Sequence, residues 1–94
     1  MATLLVRHDV KDYAKWKVVY DGFESFRKEH GVRGARVLRN TTKPNEIVVL
    51  HEFDEMRKAK SFANSKELKE AMHRGGVTGK PDIYFLRQME STHV

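Results

Sequence analysis

The stretch Glu46-Ile47-Val48-Val49-Leu50-His51-Glu52-Phe53 decides the fold. Its residues alternate between two faces, and both faces are apolar over Ile47 to Leu50. A run apolar on both sides reads as a strand in the middle of a sheet. Upstream, Asn40-Thr41-Thr42-Lys43-Pro44-Asn45 is a polar turn with no room for a helix. Before it, residues 34–40 read as a second strand, and two strands flanking so short a turn pair as a hairpin. Downstream, Asp54 is placed to cap a helix whose apolar stripe is Met56, Ala59, Phe62 and Ala63. Asn64-Ser65 then breaks or re-caps it, with Glu67 three residues after Asn64 in capping-box spacing. Leu68, Ala71 and Met72 continue a stripe to His73.

Working outward, residues 3–8 read as a strand in which Leu4, Val6 and His8 alternate with Leu5 and Arg7. Asp9-Val10-Lys11-Asp12 marks a helix start, and one helix is expected from there to about Glu29. Trp16, Val19, Tyr20, Phe23, Phe26 and Arg27 fall on one stripe of it, extended upstream by Tyr13. Gly31 follows His30 where a glycine commonly ends a helix. Gly75, Gly76, Gly79 and Pro81 read as a loop, credible as a lid or pocket rim. Ile83 to Met89 is the last strand, and residues 90–94 are expected to fray.

The order is β-α-β-β-α-β. With right-handed crossovers it predicts an α+β, ferredoxin-like sandwich. Its antiparallel four-stranded sheet has order 4-1-3-2 with helices on one face. The two central strands, the first and third, are read here as parallel neighbours. The other sheet face would carry Leu5, Leu38, Val48 and Leu50, and an apolar face of that size marks an interface, here a homodimer.

The 94 residues fit one domain, 1–94. Lys and Arg number 18 against 13 acids, for a net charge of +5, but the signs are mixed, as in Lys66-Glu67-Leu68-Lys69-Glu70. The densest basic stretch, Arg33 to Arg39, splits its arginines between two strand faces. No recognition module accompanies it, so no specific nucleic-acid partner is expected. The absence of cysteine excludes disulfides, thiolate metal sites and Cys nucleophiles. The N-terminal apolar run after Thr3 is three residues, short of the roughly 7–15 of a signal sequence or the ~20 of a membrane span. A soluble cytoplasmic protein without a membrane partner is therefore expected.

His8 and His51 are the best candidates for chemistry. Both are in phase with the apolar positions Leu4, Val6, Ile47 and Val49, so both point between sheet and helices, and the parallel reading puts them at the same end of the sheet. Histidine is the side chain best poised for proton transfer near neutral pH. Tyr13, Trp16 and Tyr20 could line the same space, with Tyr84 approaching from the last strand. Two other readings stay open: each His is a satisfied residue at a strand end, or the two bind a metal. The metal reading lacks a third ligand, because Glu52 should face the other way, and no metal is expected. His30 and His73 sit near helix C-termini, where a cation is favoured. Gly75 to Pro81 is not a phosphate loop, since Lys80 precedes Pro81 and a strand follows.

The run Asp12-Tyr13-x-x-Trp16-Lys17, the strand end His51-Glu52-Phe53-Asp54 and the segment Gly76-Val77-x-Gly79-x-Pro81 resemble the dimeric α+β barrel superfamily. Its small bacterial members are antibiotic-biosynthesis-monooxygenase-like or cyclase-like. The resemblance spans the whole chain. It implies two sheets packed face to face and a pocket between sheet and helices in each protomer. Beside it, the residues are read as a cofactor-independent enzyme, monooxygenase-like or polyketide-cyclase-like, for a small aromatic or polyketide-type molecule, with His51 or His8 as acid/base and a Tyr positioning the substrate. A non-catalytic small-molecule-binding or dimeric interaction protein of the same fold is the alternative. The Asn, Trp and Tyr or His used by the monooxygenase and haem-degrading branches do not map onto this chain. Its one Trp, Trp16, is on the first helix and no Asn is on the first strand.

Overall fold

The computed structural model describes residues 1–93. Strand β1, Ala2–Val10, buries Ala2, Leu4, Val6, His8 and Val10 on one side. Strand β3, Glu46–Phe53, does the same with Ile47, Val49, His51 and Phe53. The period of two thus turns both histidines to the helix side, as the alternation predicts. Strand β2, Val32–Arg39, and strand β4, Val77–Arg87, complete a four-stranded sheet of order β2-β3-β1-β4.

All neighbouring strands are antiparallel. That corrects the parallel reading of the two central strands. The crossover from β1 through a helical segment brings β2 back in the same direction, and the tight hairpin then reverses β3. Register pairs His8 with Ile47, Val6 with Val49 and Leu4 with His51. The two histidines are therefore separated by four residue steps, about 13 Å along the strand. They share a face but not an end of the sheet.

The expected long helix is two: α1, Tyr13–Gly22, and α2, Glu24–Glu29. Asp12 caps α1 by accepting from the Ala14 backbone N–H at 2.9 Å. Gly22, a poor helix former, precedes the break, and Phe23 leaves the α-helical backbone at φ −94°, ψ 5°. The break keeps Phe23 and Phe26 stacked, with ring centroids 4.5 Å apart. Gly31 has φ +90°, the left-handed ending that glycine adopts without a Cβ penalty.

Helix α3, Met56–Ala63, starts after Glu55 rather than after a capping Asp54. Asp54 instead accepts from Arg33 at 2.9 Å. Helix α4, Lys66–Arg74, is capped by Ser65, whose Oγ accepts from the Leu68 N–H at 3.2 Å. The cap is thus Ser65, one residue beyond the expected Asn64. Together α3 and α4 bury Ala59, Phe62, Ala63, Leu68 and Ala71 over the sheet.

β4 begins inside the glycine-rich segment read as a loop. Val77 and Thr78 pair with Val10 and Asp9, and a register shift between Arg7 and Asp9 takes up the extra residues. Pro81 is tolerated there because β4 is an edge strand. Gly76, at φ +80°, makes the turn from α4 into the strand. The segment is part of the sheet rather than a lid. Residues 88–93 carry no regular secondary structure; of the tail expected to fray, position 94 lies outside the described residues.

The helix-free face carries Leu5, Val48, Leu50 and Leu38, joined by Tyr84 and Leu86 through their pairing with Leu5 and Thr3. Leu38, Tyr84 and Leu86 are exposed there. Arg7 crosses that face with Nη1 2.6 Å from Glu46 and Nε 2.7 Å from Asp82. No helix among the described residues is long and apolar enough to cross a membrane.

Candidate active site

Between the sheet and the helices lies a partly open cavity of about 50 Å³. Val6 and Val49, paired across β1 and β3, form its floor, with His8 on one side and His51 on the other. α1 contributes Trp16, Val19 and Tyr20, and α2 contributes Arg27. Phe62 and Met72 close it from α3 and α4. Half-buried Val19, Tyr20 and Met72 mark where the cavity meets solvent.

The aromatic wall is a product of helical spacing. Tyr13, Trp16 and Tyr20 stand one above another, with centroids 5.8 Å and 5.1 Å apart in stacked geometry. The His8 ring meets Trp16 edge-on at 5.7 Å. Tyr13 does not line the cavity: its ring is taken up by Trp16 and by the Arg39 guanidinium, whose Cζ lies 4.5 Å from the ring centroid. Tyr84 is on the opposite sheet face and 55% exposed, so it does not reach this cavity within one chain. Of the six residues picked from sequence, the structure brings together His8, His51, Trp16 and Tyr20.

His8 is 3% exposed and His51 5%. Their surroundings differ. His51 Nδ1 lies 3.4 Å from the Leu4 carbonyl oxygen, and its ring packs on Phe62 at 5.3 Å. With Nδ1–H donating to Leu4, Nε2 keeps its lone pair and is the basic atom. His8 has no partner for either ring nitrogen, although both are buried. Such orphaned polar atoms are rare in proteins.

Burial holds both rings neutral. The His8 imidazole falls from 6.5 to about 4, chiefly by desolvation and then by the Arg7 charge, against a small opposing pull from Asp9. His51 falls equally, to about 4, by desolvation, with the Arg27 and His8 charges acting in the same direction and the Leu4 hydrogen bond against it. At neutral pH each ring is an acceptor of protons rather than a cation.

Arg27 was placed on the helix stripe by its spacing but was not singled out as a site residue. It is 9% exposed and faces the cavity from α2. The signal was its position four residues after Phe23 on an otherwise aromatic stripe, where a charged side chain must account for its burial. Among the described residues no three His or acidic side chains gather as a metal-ligand cluster.

The profile of the antibiotic biosynthesis monooxygenases matches residues 11–74, which is most of the chain. The chain belongs to that family. A candidate family member from Bordetella bronchiseptica has the same fold at TM-score 0.81 and 10% identity, covering 95% of this chain and 97% of that one. Another from Caulobacter crescentus aligns at TM-score 0.75 and 19% identity, covering 95% and 90%. A mutant of SnoaB, a cofactor-independent oxygenase from Streptomyces nogalater, aligns at TM-score 0.77 and 15% identity, covering 96% and 94%. Comparison with curated proteins finds no match. At these identities the likeness establishes the fold, and the chemistry has to be argued from this family member's own cavity.

Proposed function

We propose that the protein is a small cofactor-independent enzyme, monooxygenase-like or polyketide-cyclase-like, acting on a small aromatic or polyketide-type molecule at the His8–His51 cavity. The observation that supports this is that His8, whose two buried ring nitrogens have no protein partner, shares one cavity with His51. The first step is common to both reaction types. A neutral imidazole, His51 at Nε2 or His8, takes a proton from an acidic C–H or O–H of the substrate. The electron pair stays on the substrate as an enolate or phenolate, and the ring becomes an imidazolium. In the oxygenase case a ring CH2 and dioxygen become a carbonyl and water. In the cyclase case the enolate carbon attacks a carbonyl, and the new alkoxide takes the proton back. SnoaB, the cofactor-independent oxygenase of like fold, supports the first of these. The small size of the cavity favours the alternative, a non-catalytic dimeric interaction protein of the same fold.

Replacement of His51 by Ala tests the enzymatic reading. Turnover or binding of a hydroxylated aromatic compound falls while the fold persists; unchanged turnover contradicts it.

We further infer a homodimer through the helix-free face. Leu5, Val48 and Leu50 are half-buried and Leu38, Tyr84 and Leu86 exposed there, and burying apolar surface is worth about 25 cal/mol per Å². Sedimentation at micromolar concentration should show a species of twice 11.0 kDa. A lone 11.0 kDa species would contradict the dimer.

A further inference from the structure

Arg27 stands out in the cavity for what it lacks. Its Nη1 donates to the Tyr20 carbonyl at 2.7 Å, and its Cζ lies 3.9 Å from the Tyr20 ring centroid. Among the described residues it has no ion pair. Glu24, one turn earlier on α2, pairs instead with Lys28 at 3.6 Å, on the exposed side of the helix. A guanidinium offers five N–H donors in a planar fork, and here one has a protein acceptor. A buried cation is expensive unless an anion and hydrogen bonds accompany it.

The groups lining this cavity supply no negative charge, while on its other side Arg27 borders a shallow groove with Glu24, Lys28 and Arg33. His51 and His8 line the same cavity, and the other walls are Trp16, Tyr20, Phe23 and Phe62. The cavity is also too small for a whole ring system: hydrocarbon cavities that hold benzene run to about 150 Å³. At about 50 Å³ it fits the oxygen-bearing edge of a ligand. The rings of such a ligand would lie against Tyr20 and Met72 at the mouth.

We propose that Arg27 is the anion-recognition residue of this cavity, so that the ligand is an aromatic compound presenting an anionic oxygen, a carboxylate or an ionised phenol or enol, to its guanidinium. This rests on the reading of the His8–His51 cavity as a ligand site and narrows its substrate class. The Tyr20 carbonyl bond and the stacking on Tyr20 hold the fork in place, so it is ordered before the ligand arrives. Neutral compounds of the same shape lose the charge-assisted bonds and bind less well.

The test uses benzoate and its neutral analogue benzamide, followed through the fluorescence of Trp16, the only tryptophan in the chain and a wall of the cavity. Benzoate should bind the wild-type protein about 10–100-fold more tightly than benzamide, the range expected for a hydrogen-bonded charge. Arg27→Met, which keeps the aliphatic length, should remove that preference, with benzoate affinity falling to the level of benzamide. Arg27→Gln, which keeps a donor for the Tyr20 carbonyl, should do the same and serves where the Met variant fails to fold. Equal wild-type affinities for the two probes, or a benzoate preference that survives in either folded variant, overturns the role of Arg27 and leaves the cavity reading standing. Binding of neither probe overturns both.

Discussion

Acidification should destabilise this protein well before ordinary carboxylates titrate. His8 and His51 each have a folded-state value of about 4 against 6.5 when free. Between those values the unfolded chain binds protons that the folded chain does not. Stability is therefore fully present above about pH 6.5, falls as the pH drops toward 4, and levels off below that. The displacement is worth roughly 3 kcal/mol per ring, against a total of ~5–15 kcal/mol for a domain. Glu46 also loses stabilising bonds in acid, because Asn40 and Arg7 hold its carboxyl below 4.5, but its loss belongs to a lower pH window. Melting temperature measured across this range checks the sign. His8→Leu should roughly halve the pH dependence, since His51 still titrates, and also raise stability at neutral pH by about 1–3 kcal/mol, since it removes two buried polar atoms with no partner. A flat wild-type profile from pH 6.5 to 4 would mean that the rings are hydrated and charged, and the site described above would be wrong.

Replacing His51 by Ala should separate function from packing. On the proposed role as general base, its loss should lower turnover by roughly 10²–10⁴-fold. Its structural contribution is smaller. Its hydrogen bond to Leu4 is long, at 3.4 Å, so freeing that carbonyl costs about 1 kcal/mol, at the low end for an unsatisfied group. The ring also packs on Phe62, and removing it enlarges an existing cavity rather than opening a new one. The expected variant is folded, modestly less stable, and catalytically crippled. A large drop in melting temperature with turnover intact would make His51 a core residue. Turnover is followed on a hydroxylated aromatic substrate, and stability on the same preparation.

The fold was legible because its evidence is local. Alternation in Leu4-Val6-His8 and Ile47-Val49-His51 is a period-two signal, and it placed both rings on the helix side correctly. The turn at residues 40–45 was too short for anything but a hairpin, and the element order then dictated strand order. What was not legible is what depends on the whole sheet. The relative direction of β1 and β3 follows from following the chain through every connection, and the parallel reading put the two histidines at one end when they flank the Val6–Val49 pair. Tyr84 depended on the phase of β4, and the face it takes is set by its pairing with Leu5. The break at Phe23 was hidden because the apolar stripe runs through it unbroken. That same continuity made Arg27 look like one more stripe position, although a cation among Tyr20, Phe23 and Phe26 was the local inconsistency that often marks a functional site.

The central claim is that two neutral, buried histidines face a common ligand cavity. It is tested most directly by ring-nitrogen NMR of the five histidines through a pH titration, with and without benzoate. His8 and His51 should stay neutral down to about pH 4 in the free protein. Added benzoate should shift both of their signals, and leave those of His30, His73 and His93, which lie outside the cavity, where they were. Two rings that protonate near 6.5, or that are blind to the ligand, would contradict it.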